Sequence, residues 1–117
     1  MTYAPRDDRR GTRTATITDS WTGSTLVVTV AGSLEWDTTS ELTTRLKGAE
    51  DADSLIVDLS GILWADSALL QALIDLQRHL RRHDTALILR GPLHPVPRRL
   101  FELTGTADYF TFDGGWT

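Results

Sequence analysis

The stretch Leu55-Ile-Val-Asp-Leu59, followed by Ser60-Gly-Ile-Leu-Trp-Ala-Asp-Ser67 and then Ala68-Leu-Leu-Gln-Ala-Leu-Ile-Asp-Leu-Gln-Arg-His-Leu-Arg-Arg-His83, decides the fold. Leu55–Leu59 is short and nearly all apolar, the pattern of a strand covered on both faces and therefore of a sheet centre. From Asp66 to His83 the period changes. Leu69, Leu73, Leu76 and Leu80 recur on one stripe with Ala72 beside them, while Gln71, Asp75, Arg78 and Arg82 fall on another side, so an amphipathic helix is expected. Arg78, Arg81 and Arg82 crowd its end, where cations complement the unpaired carbonyls.

Working towards the N-terminus, Gly32 is followed by Thr38 and Thr39. Either threonine can cap a helix in which Leu42, Leu46 and Ala49 repeat every three to four residues. Before it, Thr14–Thr18 and Thr25–Ala31 are strand-like runs flanking Asp19-Ser-Trp-Thr-Gly23-Ser24, which suits an antiparallel hairpin. Residues 1–13 mix Pro5, Gly11, acids and arginines without apolar periodicity and are expected to form a flexible arm, leaving 14–117 as a single domain. Towards the C-terminus, Ala86–Leu89 reads as another buried strand closed by Gly91-Pro92. Pro97 then opens a short helix expected to turn Val96, Leu100 and Leu103 inward. Tyr109–Phe112 is the last strand. Alternating strands and helices after a hairpin predict an α/β fold: a mixed sheet of four to five strands with helices packed on it.

Composition removes several function classes. A chain of 117 residues with 40% apolar content supports one core and not two. Without cysteine there is no disulfide framework and no thiolate metal site, and three histidines without a companion cluster give no metal or cofactor site. A formal charge of −4 opposes direct nucleic-acid binding. No apolar run matches a signal peptide or a membrane-inserting span, so a cytoplasmic protein is expected. Catalysis is not expected either: Ser67 lacks the Gly-x-Ser-x-Gly elbow, no phosphate-binding glycine loop occurs, and His79, His83 and His94 have no orienting motif. Asp58 invites comparison with phosphorylated receiver domains, but the first strand lacks a following acidic pair, and Asp58 is read as a structural hydrogen-bonding residue.

The junction Ile62–Ser67 leads from the carboxyl end of the central strand into the long helix, where open α/β sheets place their sites. Asp66 and Ser67 are both N-cap residue types. A serine hydroxyl there is also a well-placed phosphoacceptor, because a phosphate would face helix amides and the favourable end of the dipole. The residues alone leave cap and phosphoacceptor both open.

Val30-Ala-Gly-Ser-Leu-Glu35, Leu55–Ser60, Ala65-Asp-Ser-Ala68 before a leucine-rich helix, and Arg98-Arg-Leu-Phe-Glu-Leu-Thr-Gly105 occur in an order that resembles a STAS domain over about Thr14 to Phe112. The likeness is to bacterial anti-sigma factor antagonists. It implies a non-catalytic binding switch whose partner is an anti-sigma factor with serine kinase activity, with a serine phosphatase and a homodimer as further partners. The serine after the aspartate is the family's phosphoacceptor, here Ser67. The family's Gly-x-Leu-Asp contact segment is matched by Gly32–Glu35, which gives Glu35 a contact role; Asp37, Asp66, Ala68, Leu69 and Gln71 complete the expected partner-binding surface, and Trp36 and Trp64 join it because tryptophan is enriched at interface hot spots. Three departures stand out. Leu69 replaces the glycine of the family's Asp-Ser-x-Gly, Glu35 replaces an aspartate, and Phe112–Thr117 stops where many relatives add an amphipathic helix, which leaves a sheet face for a partner or another copy. The same resemblance accommodates a second reading: a STAS scaffold that is never phosphorylated, or an accessory subunit of a larger regulatory or transporter complex.

Overall fold

The computed structural model describes residues 15–34 and 36–114, with the side chains of Trp36, Asp37 and Glu50 outside that description. The arm expected at 1–13 therefore lies outside the described residues. Strand β1 (Thr16–Thr22) pairs antiparallel with β2 (Thr25–Leu34). Helix α1 (Trp36–Lys47) leads to β3 (Ser54–Ala65), α2 (Ser67–Arg81) to β4 (Ala86–Arg90), and α3 (Pro95–Thr104) to β5 (Thr111–Asp113). The sheet order is β1-β2-β3-β4-β5, parallel from β2 onward.

Because every crossover advances the sheet in one direction, connections of the usual right-handed sense carry all three helices to one face. Burial agrees. Leu26, Val28 and Val30 of β2, Leu55, Val57 and Leu59 of β3, and Leu87 and Leu89 of β4 are buried under Leu42 and Leu46 of α1 and Leu69, Leu73, Leu76 and Leu80 of α2. The opposite face carries Val27, Ile56 and Ile88 side by side in register, all only half-buried. β3 is thus the centre of the sheet, as its apolar run predicts, but it is fully covered on one face only.

Several boundaries differ from the sequence reading, each for a physical reason. β1 runs on through Asp19–Thr22 because these polar residues pair with Val28, Val27, Leu26 and Thr25 on an edge strand that water can reach. The turn shrinks to Gly23-Ser24, with Gly23 at φ 61°, the position that favours glycine in a two-residue hairpin. α1 begins at Trp36, so Thr38 and Thr39 lie inside the helix rather than at the position before it. α3 begins at Pro95, and the residues it buries are Pro97 and Phe101; Val96 and Leu103 are exposed and Leu100 is half-buried. Phe101 explains the phase, since its ring meets Phe110 and Phe112 edge-on at 5.9 and 5.5 Å. An aromatic of that size outweighs two aliphatic side chains in deciding which side of a short helix is buried.

β3 is longer than its apolar run because it follows β2 to the rim of the sheet with two register shifts. Thr29 and Ala31 face Asp58 and Gly61, and Gly32 and Ser33 face Ile62 and Trp64, so β3 twice spends one residue more than its neighbour. Asp58 stabilises the first shift: its Oδ1 accepts from the Ser60 amide at 2.9 Å and the Ser60 hydroxyl at 2.6 Å. The structural reading of Asp58 holds. The shifts keep Ile62 and Ala65 in the core at 0% and 4% exposure while Leu63 and Trp64 face water.

Candidate functional site

The carboxyl ends of β2 and β3 lie side by side. Ser33 pairs with Trp64 and Leu34 with Ala65, so the end of β2 and the start of α2 lie at the same rim of the sheet. Asp66 is the N-cap of α2, with extended backbone and Oδ1 accepting from the Ala68 amide at 3.0 Å. Ser67 follows as the first helical residue and is exposed; among the described residues no hydrogen bond holds its hydroxyl. The two sequence options are thereby divided between neighbours: Asp66 is the cap, and Ser67 Oγ is left to solvent.

The other expected site residues are placed as follows. Trp64 is 42% exposed at the end of β3, with the more exposed Leu63 beside it. Ala68 is half-buried, and Gln71 is exposed one turn below Ser67, its amide donating to Asp75 Oδ1 at 3.1 Å. Leu69 does not belong to the surface. It is 0% exposed, pointing into the core beside the stripe formed by Leu73, Leu76 and Leu80, and cannot contact a docked protein. Its burial also means that the bulk replacing the family glycine is accommodated inside and leaves the Ser67 hydroxyl open. Glu35 lies outside the described residues, and Trp36 and Asp37 are placed only by their backbone at the start of α1, next to the rim.

Sequence reasoning missed a groove of about 430 Å³ running down from this rim between α1 and α2. Thr39, Ser40, Thr43, Thr44 and Lys47 line one side and Ala68, Gln71, Ala72 and Asp75 the other. Thr39 is 3% exposed, and its Oγ1 is buried without a hydrogen-bond partner among the described residues. The signal was present in the hydroxyl-rich spacing of Thr39, Ser40, Thr43 and Thr44, which puts four small polar side chains on one helix face. Among the described residues no cluster of three His, Cys, Asp or Glu side chains could hold a metal ion, and no helix is long and apolar enough to cross a membrane.

These features place an exposed serine, beside a capped helix start, at the rim of a small mixed α/β sheet. A family model described as "Mlab, STAS domain" matches residues 17–111, and the chain belongs to the STAS domain family. Solved structures share the fold. An anti-sigma factor antagonist from Mycobacterium paratuberculosis is 23% identical with a TM-score of 0.72, over 89% of each chain. The anti-sigma factor antagonist SpoIIAA in its unphosphorylated form is 16% identical with a TM-score of 0.68, over 84% of this chain and 88% of that one. The Bacillus cell fate determinant SpoIIAA in its phosphorylated form is 18% identical with a TM-score of 0.66, over 84% and 91%. No curated protein sequence matches the chain.

Proposed function

We propose that the protein is a partner-switching module of the anti-sigma factor antagonist type, a binding protein rather than an enzyme. The rim of the sheet docks an anti-sigma factor that is also a serine kinase, and phosphorylation of Ser67 controls the docking. One observation carries the proposal: Ser67 is exposed at the first residue of α2, at the rim where β2 and β3 end, while its neighbour Asp66 already caps the helix. Phosphorylation adds about −1.5 to −2 charges next to the Asp66 carboxylate, so its effect falls on the docking surface and not on the core. Structural likeness to a protein solved in both unphosphorylated and phosphorylated forms supports the same reading. Glu35, Trp36, Asp37, Trp64, Asp66, Ala68 and Gln71 are the proposed contact set. A serine phosphatase would reset the switch, which would work in the cytoplasm in transcription regulation.

A second reading, a scaffold or accessory subunit that is never phosphorylated, is favoured by the cap already in place, where the Asp66 carboxylate accepts from the Ala68 amide without any phosphate. Incubating the protein with candidate anti-sigma factor kinases and ATP separates the two. Phosphate located on Ser67 by mass spectrometry, and absent in Ser67→Ala, supports the switch; phosphate elsewhere or none across the kinases rejects it.

A further inference from the structure

The groove between α1 and α2 has an unusual hydrogen-bonding character. The Thr43 hydroxyl donates to the Thr39 carbonyl at 2.9 Å and the Thr44 hydroxyl to the Ser40 carbonyl at 3.1 Å, so both protons are used on the helix and both oxygens remain as acceptors. Gln71 spends an amide proton on Asp75, which leaves its Oε1 and the rest of the Asp75 carboxylate as acceptors too. Beneath them lies the unpartnered Thr39 hydroxyl. Lys47 brings the one cationic side chain lining the groove, a full helix length from the Ser67 end. The surplus of acceptors, with the Asp75 carboxylate on the side away from Lys47, suits a planar multidentate donor such as a guanidinium.

The chain carries such donors in its first residues. Residues 1–14 hold Arg6, Arg9, Arg10 and Arg13 against Asp7 and Asp8. They join the fold at Ala15, next to Thr16, which pairs with Ala31 near the rim from which the groove descends. From β1 to the groove above β3 is a lateral step of about 10 Å, two strand spacings, and a rise through the helix layer of about 10 Å. Extended chain covers about 3.3 Å per residue, so Arg9 and Arg10 reach the groove and Arg6 reaches its far end.

We infer that the arginine-bearing segment 1–14 docks in the α1–α2 groove and is a built-in competitor for the surface next to Ser67. Tethering keeps the segment at a high effective concentration, so weak individual contacts suffice. Docked there it covers Ala68 and Gln71, which the proposed partner also needs, and it does so whether or not Ser67 is ever modified.

The absence of cysteine permits a direct test in the full chain, because Gly11→Cys gives a single thiol for a nitroxide label while keeping every arginine. In nitrogen-15 spectra, amide intensities at Thr43, Thr44, Gln71 and Asp75 are expected to fall by about half relative to the reduced label, and to recover as salt is raised towards 1 M, where the screening length is about 3 Å. The loss should also vanish when Arg6, Arg9, Arg10 and Arg13 are all replaced by glutamine. No loss in the groove, a loss centred on Val27, Ile56 and Ile88 of the open sheet face, or a loss that persists without the arginines overturns the inference. So does a loss seen only when labelled copies are mixed with separate nitrogen-15 copies, which would make the occupant a second molecule.

Discussion

Asp66 and Ser67 are adjacent and chemically similar as helix starters, yet one caps the helix and the other is left exposed. The Asp66 carboxylate satisfies an amide that would otherwise be orphaned, so Asp66→Ala should lower stability by about 1 kcal/mol, and Asp66→Asn should recover most of it. Urea unfolding measures this directly. Ser67→Ala should leave the unfolding midpoint unchanged, because an exposed hydroxyl with no bond has nothing to lose on truncation; a loss comparable to Asp66→Ala would show Ser67 to be part of the cap. Leu69 illustrates what a motif leaves unsaid. Its identity at the family's glycine position reads as a threat to the site, whereas its zero exposure makes it core. Leu69→Gly, which restores the family residue, should cost at least the 2–5 kcal/mol typical of a leucine truncated to alanine, seen as a lowered melting temperature.

At the scale of elements, the helix α2 and the centre strand β3 were legible because their periods are unambiguous over many residues. The edges were not. The first half of β1 reads as strand, but Asp19, Ser20 and Thr22 of its second half look like a turn, and only pairing with β2 extends the strand through them. The phase of α3 was misread because leucine spacing was weighed without Phe101, whose partners Phe110 and Phe112 are distant in sequence. Phe101→Ala should therefore cost about 3–5 kcal/mol by denaturant unfolding, while Leu103→Ala on the exposed side should stay within about 0.5 kcal/mol. Close approach of β2 and β3 supplies a further check. A Cβ added at Gly61 would sit 2.9 Å from the Ala31 Cβ and 3.3 Å from its Cα, so Gly61→Ala should destabilise by about 1–3 kcal/mol although it adds only a methyl group.

Across the whole molecule, one helical layer covers one face of the sheet, and stability should grade from the middle outward. Native-state hydrogen exchange is expected to find the slowest amides in β3, between two paired neighbours, and the fastest strand amides in β1 and the three-residue β5. Equal protection of β1 in dilute solution would mean that its free edge is occupied. The position of Asp66 and Ser67 at the carboxyl end of the central strand was legible from sequence order, whereas the burial of Leu69 was not read there as excluding it from the surface. The groove was not, because it belongs to two helices whose facing sides are fixed only when both are laid on the sheet.

The paired register shifts of β3 impose a constraint of a different kind. Between Asp58 and Ala65 the strand must count its way past β2 with two surplus residues to bring Ile62 and Ala65 inward and Trp64 outward. Removing a single residue there would invert every later side chain, driving an indole into the core and an alanine into water. In this stretch the count of residues is held as firmly as the identity of Asp58 and Gly61, and insertions or deletions should be the rarest changes among its descendants.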